Sequence, residues 1–326
     1  MEGVTTTEET PLEPTTLLEA IRYYSDLDMA TKAFSALRWP DGPVCPYCLS
    51  KENFYTPSRR GWKCKACRQR FSPKVGTVCE DSPIGFDKWL PAMWLIANNK
   101  NGISSWELSR GIGVTQKTAW FMLQRIRLAM QTGTFEKVAG QVEVDETFIG
   151  GKARNMHKHV KAQKITGTGG SDKTMVVGVL QRGGKVRANV INSRKKQTLQ
   201  AHVKAHVEPG AEIFTDALKS YEGLNPEFVH QVVDHAVEYV KGQVHTNGME
   251  NFWSLLKRTL KGTYVSVEPF HLFRYLDEQT FRYNERKHDQ GDGGRFKSVV
   301  RGCGGKRLSY KKLTGKLELS ESKVDL

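Results

Sequence analysis

The chain has 326 residues, 38% of them hydrophobic, and a formal net charge of +14, which is length enough for two or three domains with a substantial core. No run approaches the ~18 apolar residues of a membrane span. The opening stretch lacks the basic and apolar regions of a signal peptide, so a cytoplasmic protein without membrane attachment is expected. Charge is unevenly placed: residues 1–30 carry seven acids and one base, a net of −6, leaving +20 on the other 296. A body this basic predicts a polyanionic partner and salt-sensitive association. Charge alone fits an RNA-binding or merely soluble basic protein as well.

Residues 1–14 are rich in Thr, Glu and Pro and are expected to be disordered. From 15 to 38 the apolar set Leu17, Leu18, Ile21, Leu27, Met29, Phe34 and Leu37 predicts one or two short helices, stopped by Trp39-Pro40-Asp41-Gly42. Two C-x2-C knuckles follow, Cys45 with Cys48 and Cys64 with Cys67, separated by fifteen residues. Four thiolates in two knuckles match a closed, tetrahedral, structural zinc site. Paired disulfides are the alternative, disfavoured inside a cell, and an iron–sulfur site is another. Between the knuckles, Arg59-Arg60-Gly61-Trp62 reads as the hairpin turn of a zinc ribbon spanning 41–78. Cys79 and Cys303 fall outside the motif as ordinary thiols.

Residues 83–132 predict helices. Phe86–Asn98 is apolar enough to be a core helix. Ser104–Arg110, a turn through Gly111 and Gly113, and Thr115–Arg127 then have the shape of a helix-turn-helix. Thr115 would cap the second helix and leave Gln116, Lys117 and Thr118 at the tip that meets DNA in such motifs. A plain helical hairpin has the same pattern. Across 139–290, strands are expected at Gln141–Phe148, Thr174–Leu180, Val186–Ile191 and Glu212–Thr215, with a shorter element at Val229–Asp234. Helices are expected at Thr198–Val207, Met249–Leu260 and Pro269–Asn284. That order predicts an α/β domain, a mixed sheet flanked by helices. Gly150–Asp172 reads as a loop or insertion, and 291–326 as a Gly-rich basic tail suited to phosphate contacts or to plain solvation.

Three acids stand out. Val142 and Val144 alternate with Glu143, Asp145 and Thr147, which places Asp145 on one strand face with Glu143, its local competitor, and Glu146 on the other. Asp216 closes a short strand before an expected helix, where ligands of α/β sheets gather; it could equally cap that helix. Glu250 opens an amphipathic helix with Lys257 two turns on along the same face, and Asn247 three residues earlier allows a capping box. Two strand acids and one helix acid can hold a pair of hard divalent cations, Mg²⁺ or Mn²⁺, which suits phosphoryl transfer.

Taken together, these motifs resemble the DDE transposases of insertion sequences, in the zinc-ribbon branch related to the eukaryotic Merlin elements. The likeness runs from Cys45 to about Arg286. Asp145, Asp216 and Glu250 stand where that family has its triad, the last two 34 residues apart, and Lys257 matches its basic residue seven positions after the Glu. The resemblance implies an RNase H-like catalytic domain over 139–290, preceded by an acidic segment to residue 40, the ribbon and the helix-turn-helix. It implies cleavage and joining of double-stranded DNA at the ends of a mobile element, by a homodimer or larger assembly, DNA-associated and nuclear if the host is eukaryotic. Asn247 becomes a candidate for positioning substrate or a metal-bound water, as does His245. Lys257, Arg258 and Lys261 become candidates for lying along a DNA strand. A DNA-binding regulator without cutting activity and a nuclease of the same fold that never joins strands are the two other classes in view.

Overall fold

The computed structural model describes residues 13–131, 137–150, 159, 173–216, 218–225, 227–233 and 245–315. The expected disordered start, up to residue 12, and nearly all of the Gly150–Asp172 insertion lie outside that set. Two compact units form. One takes the N-terminal stretch to Asn98, Leu108–Ile126 and the chain from His288; the other takes Asn99–Glu107 and Arg127–Lys287.

In the first unit, caps set the helix breaks. Thr16 and Glu19 form a capping box at the start of α1 (Leu17–Tyr24), and Asp26 accepts from the Met29 N–H at 2.8 Å to start α2 (Leu27–Arg38). The ribbon is a three-stranded antiparallel sheet of β1 (Asn53–Thr56), β2 (Gly61–Cys64) and β3 (Arg70–Phe71). Its hairpin turns at Arg60, whose φ of 47° is left-handed. Gly61 follows because a Cβ there would sit 2.7 Å from the Phe71 carbonyl oxygen. Next, α3 (Phe86–Asn98) buries Trp89, Leu90, Met93 and Trp94, as its apolar run predicts.

Two further helices follow in the expected order. Ser104 and Glu107 exchange capping bonds of 2.8 and 3.2 Å to start α4 (Ser105–Ile112). Thr115 Oγ1 accepts from the Thr118 N–H at 3.2 Å to cap α5 (Gln116–Met130).

The second unit is built on one mixed sheet. Its strands are β4 (Gln141–Ile149), β5 (Thr174–Gln181), β6 (Val186–Ile191), β7 (Glu212–Asp216) and β8 (Val229–Val233), in the order β6-β5-β4-β7-β8. The first three pair antiparallel, whereas β4–β7 and β7–β8 are parallel. Helix α6 (Lys196–His206) makes the crossover between β6 and β7. On one face Val142, Val144, Val177, Val179 and Ile213 pack on Leu199 and Val203 of α6. On the other, Val176, Leu180 and Val186 meet Phe252, Trp253 and Leu256 of α7 (Asn247–Thr259) and Leu276 of α8 (Leu272–Asn284). Each fully buried side chain of this kind is worth about 1.5–3 kcal/mol. A mixed sheet with helices on both faces is consistent with an RNase H-like core.

The expected tail is a correction. Gly291–Arg301 forms α9 and Tyr310–Leu313 a last turn, α10. Phe296 packs at 5.3 Å from both Tyr24 and Trp94 in the first unit, and Val299, Val300 and Cys303 are buried with it. Three glycines in four residues hide this helix from propensity, but Phe296, Val299 and Val300 share a buried face at helical spacing. Cys79 and Cys303 also meet here: burial, and then the adjacent Cys79 thiol, push the Cys303 thiol well above its ordinary range.

Candidate active site

The parallel pairing of β4 with β7 covers only Gln141–Glu143 against Glu212–Phe214. Two residues further along each strand stand Asp145 and Asp216, so the register carries both acids to one level just where the strands stop pairing. One ligand oxygen from each of Asp145, Glu146 and Asp216 lies within 4.8 Å of the others. Asp145 accepts from the Glu146 N–H at 2.8 Å and from the Trp253 indole N–H at 3.1 Å. Burial, with the charges of Asp216 and Glu250 nearby, raises its carboxyl to about 6. Glu146 accepts from the Tyr221 hydroxyl, and burial beside Asp216 and Asp145 raises it to about 7. Carboxyls pushed upward by burial and by one another form a site that a cation would relieve.

Alternation placed Glu146 on the far face, yet its carboxylate joins the cluster. Period-two patterning governs the Cα–Cβ direction, not the reach of a longer side chain where β4 has parted from β7. Glu143 is not in the cluster. It is 1% exposed, paired with the Arg182 Nε at 2.9 Å, and it accepts from the Met249 N–H at 2.9 Å at the start of α7. His245 belongs to that pair: its Nδ1 is 3.5 Å from Glu143 Oε1, and its carbonyl accepts from Arg182 at 2.7 Å.

Among the described residues, no α-helix follows Asp216 before β8. Asp216 Oδ1 accepts from the Leu218 N–H at 3.2 Å, and a 3₁₀ turn over Lys219–Tyr221 brings the Tyr221 hydroxyl to Glu146. Glu250 lies in the first turn of α7, exposed, one turn before Trp253; it is not one of the three clustered acids. The capping box considered for Asn247 does not start this helix. Thr246 is the cap and makes no side-chain cap bond, and Asn247 is the first helical residue, exposed. The helix approaches closely because β5 carries Gly178 opposite Asp145. A Cβ there would lie 2.2 Å from Met249 Cε and 2.8 Å from the Trp253 ring.

The ribbon thiols converge as the spacing predicts. Cys45 and Cys67 sulfurs are 3.6 Å apart, Cys48 and Cys64 3.5 Å, and all four group together. A tetrahedron of ~2.3 Å zinc–sulfur bonds has edges of ~3.8 Å, so the donor set fits zinc.

The candidate DNA contacts fall in two places. Lys257, Arg258 and Lys261 are exposed along α7 and the π-helical turn that ends it (Leu260–Tyr264). At the start of α5, Thr118 Oγ1 is spent on Thr115 at 2.8 Å and Gln116 is half-buried. Lys117 is exposed, its ammonium 5.1 Å from the Tyr310 ring, beside a cavity of about 230 Å³ also lined by Phe121 and Arg125.

Residues 137–284, which hold all of these acids, match the ISXO2-like transposase domain, and residues 26–70 match a transposase zinc-ribbon domain. The chain belongs to the IS1595 family of transposases. Two curated relatives agree. A protein in transposable element ISH50 of Halobacterium salinarum is 27% identical over 244 residues, covering 71% of this chain and 82% of that one. A transposase-like protein of Haemophilus influenzae is 30% identical over 101 residues, 31% of this chain and 81% of its own. The ribbon match reaches back to residue 26, so it takes in α2 as well as β1, β2 and the first residue of β3. No described helix of this transposase is long and apolar enough to cross a membrane.

Proposed function

We propose that this transposase cuts and joins DNA at the ends of its mobile element through Asp145, Asp216 and Glu250. The carrying observation is the convergence of Asp145 and Asp216 just beyond the paired stretch of two parallel strands, with the first turns of α7 held over them by the Trp253–Asp145 bond. The carboxylates suit Mg²⁺ or Mn²⁺, hard cations that prefer oxygen donors. Bound there, a pair of such ions supplies charge stabilisation to the attacking and leaving oxygens of an in-line displacement. Asp145 and Asp216 provide ligands from the sheet and Glu250 from α7. Trp253 fixes the orientation of Asp145, and Asn247 orients substrate. In the first reaction water attacks the scissile phosphorus and the 3′-oxygen departs as a hydroxyl. In the second that hydroxyl attacks a target phosphodiester, displacing its 5′ neighbour, with no protein–DNA covalent bond.

Lys257, Arg258 and Lys261 then follow the DNA backbone away from the acids, and Gln116, Lys117 and Thr118 contact the element end. The ribbon takes one structural zinc at Cys45, Cys48, Cys64 and Cys67. Joining two ends calls for a homodimer or larger assembly on double-stranded DNA. The test uses duplexes carrying the repeats that flank the gene. Asp145→Asn, Asp216→Asn or Glu250→Gln should each abolish Mg²⁺-dependent nicking and strand transfer while leaving gel-shift binding intact. Full-rate cleavage by any one removes that residue from the site. Cleavage without joining by the parent chain would make it a nuclease, and neither activity would make it a DNA-binding regulator.

A further inference from the structure

We infer that Glu146 is a third carboxylate ligand of the cation shared by Asp145 and Asp216, aimed by the buried hydroxyl of Tyr221. This rests on the reading of the acid site above and goes beyond its three-residue set. The fold treats its buried and half-buried acids in two ways. Glu143 has Arg182, and Glu278 on α8 has both Arg127 and Arg282. Asp145, Glu146 and Asp216 form no ion pair among the described residues, although they bring three acidic oxygens within 4.8 Å of one another. Arg194 lowers the cost of charge on Glu146 only from a distance. An acid held for structure alone should have received a guanidinium, as the other two did.

Tyr221 supplies the geometry. It is 0% exposed, set in the core beside Val142, Val144 and Leu199, and the 3₁₀ turn that carries it starts three residues after Asp216. Its O–H donates to Glu146 Oε1, leaving Oε2 and the second lone pair of Oε1 for a cation. A ligand held by an outer hydrogen bond in this manner is the usual second layer of a metal site. Glu250, exposed on α7 and not among the clustered oxygens, is left to serve the second cation together with Asp145.

The test is Mn²⁺ binding to the purified full-length chain without DNA, read from the loss of the free-ion signal in electron paramagnetic resonance. Asp145→Asn and Asp216→Asn serve as references. Tyr221→Phe should weaken binding by about tenfold, the low end for groups that orient a ligand, and Glu146→Gln by more. Glu146→Asp should fall between Glu146→Gln and the parent. Parent-like affinity in Glu146→Gln while both aspartate variants lose Mn²⁺ overturns the inference and leaves the acid site standing, with Glu146 a mere partner for Tyr221. Parent-like affinity in all variants, or none in the parent, overturns the acid site and this inference together. Thermal melting identifies misfolding. Should Glu146→Gln fail to fold, Tyr221→Phe decides, because it keeps the ring and its packing: undiminished Mn²⁺ affinity there overturns the inference.

Discussion

Glu143 and Glu146 sit three residues apart on one strand and have opposite environments. Glu143 is neutralised by Arg182, which also lies 3.9 Å from the Phe214 ring and donates to the His245 carbonyl. Arg182 therefore ties β5 to the residues that lead into α7, and its effect on the site acts through position. Replacing it leaves a buried carboxylate without its guanidinium, a loss of about 3–5 kcal/mol for pairs of this kind. Arg182→Met should show that loss in urea unfolding, and pairing it with Glu143→Leu should recover much of it, because two apolar groups leave no charge stranded. A single variant as stable as the parent would mean the pair is not structural.

At the scale of elements, α7 is anchored at both ends. Met249 and Trp253 lock its start to Glu143 and Asp145. Its π-helical end delivers Tyr264, whose hydroxyl donates to Glu278 of α8 at 2.5 Å. Glu278 is 0% exposed and bonded also to Arg127 at 2.6 Å and to Arg282. Burial alone would raise its carboxyl, but Arg282 and Arg127 outweigh that and hold it below the usual 4.5. A carboxyl lowered in the native state adds stability that is complete above the unfolded value and is lost as pH falls through the native one. Acid unfolding of this unit should therefore steepen below about pH 4.5. Glu278→Gln should remove that limb and cost about 3–5 kcal/mol at neutral pH, by stranding two arginines. A parent-like acid profile in this variant would contradict the assignment.

The ribbon is the other element whose stability hangs on one feature. Its described core amounts to Cys45, Cys64 and Phe71 with partly buried Trp39, Trp62, Cys67 and Val75 around them, too little to hold three short strands unaided. Metal binding in such modules is folding energy. Protein purified without chelator should contain one zinc per chain by elemental analysis. Cys64→Ser should lose it and expose Trp62 to solvent in fluorescence while the second unit keeps its unfolding transition. Zinc retained at full stoichiometry in that variant would rule out this site.

For the whole molecule, charge and its placement matter more than any one contact. With a net charge of +14, binding to DNA should weaken steeply with salt, by a slope that counts displaced phosphate counterions. If Lys117 at the start of α5 meets a phosphate, Lys117→Ala lowers that slope by ~0.9 for element-end and random duplexes alike. If Gln116 reads a base, Gln116→Ala costs ~1–3 kcal/mol on the end sequence only. Titrations of both duplexes at several salt concentrations separate the two. An unchanged slope and an unchanged preference would assign α5 to packing, consistent with the ring of Tyr310 under Lys117 and the buried stretch from Met122 to Arg127.

Local physics was legible in the sequence. Period-two valines announced β4 and β5, Cys spacing announced the ribbon, and Thr115 announced the cap of α5, because each depends on residues within a few positions of one another. Asp145 could be selected for its alternating strand context and Asp216 for its strand-end context, and their convergence follows from a parallel register that no single strand encodes. What only the tertiary structure decided were pairings across long separations: Glu143 with Arg182, Glu146 with Tyr221, Arg127 with Glu278, and the burial of Phe296 against Tyr24 and Trp94. Each joins residues 39 to 272 positions apart, and the same acid or glycine-rich stretch reads alike whether it is solvated or enclosed. Burial decides between those readings, since a charge taken out of water must find a partner or a cation, and burial is a property of the folded chain.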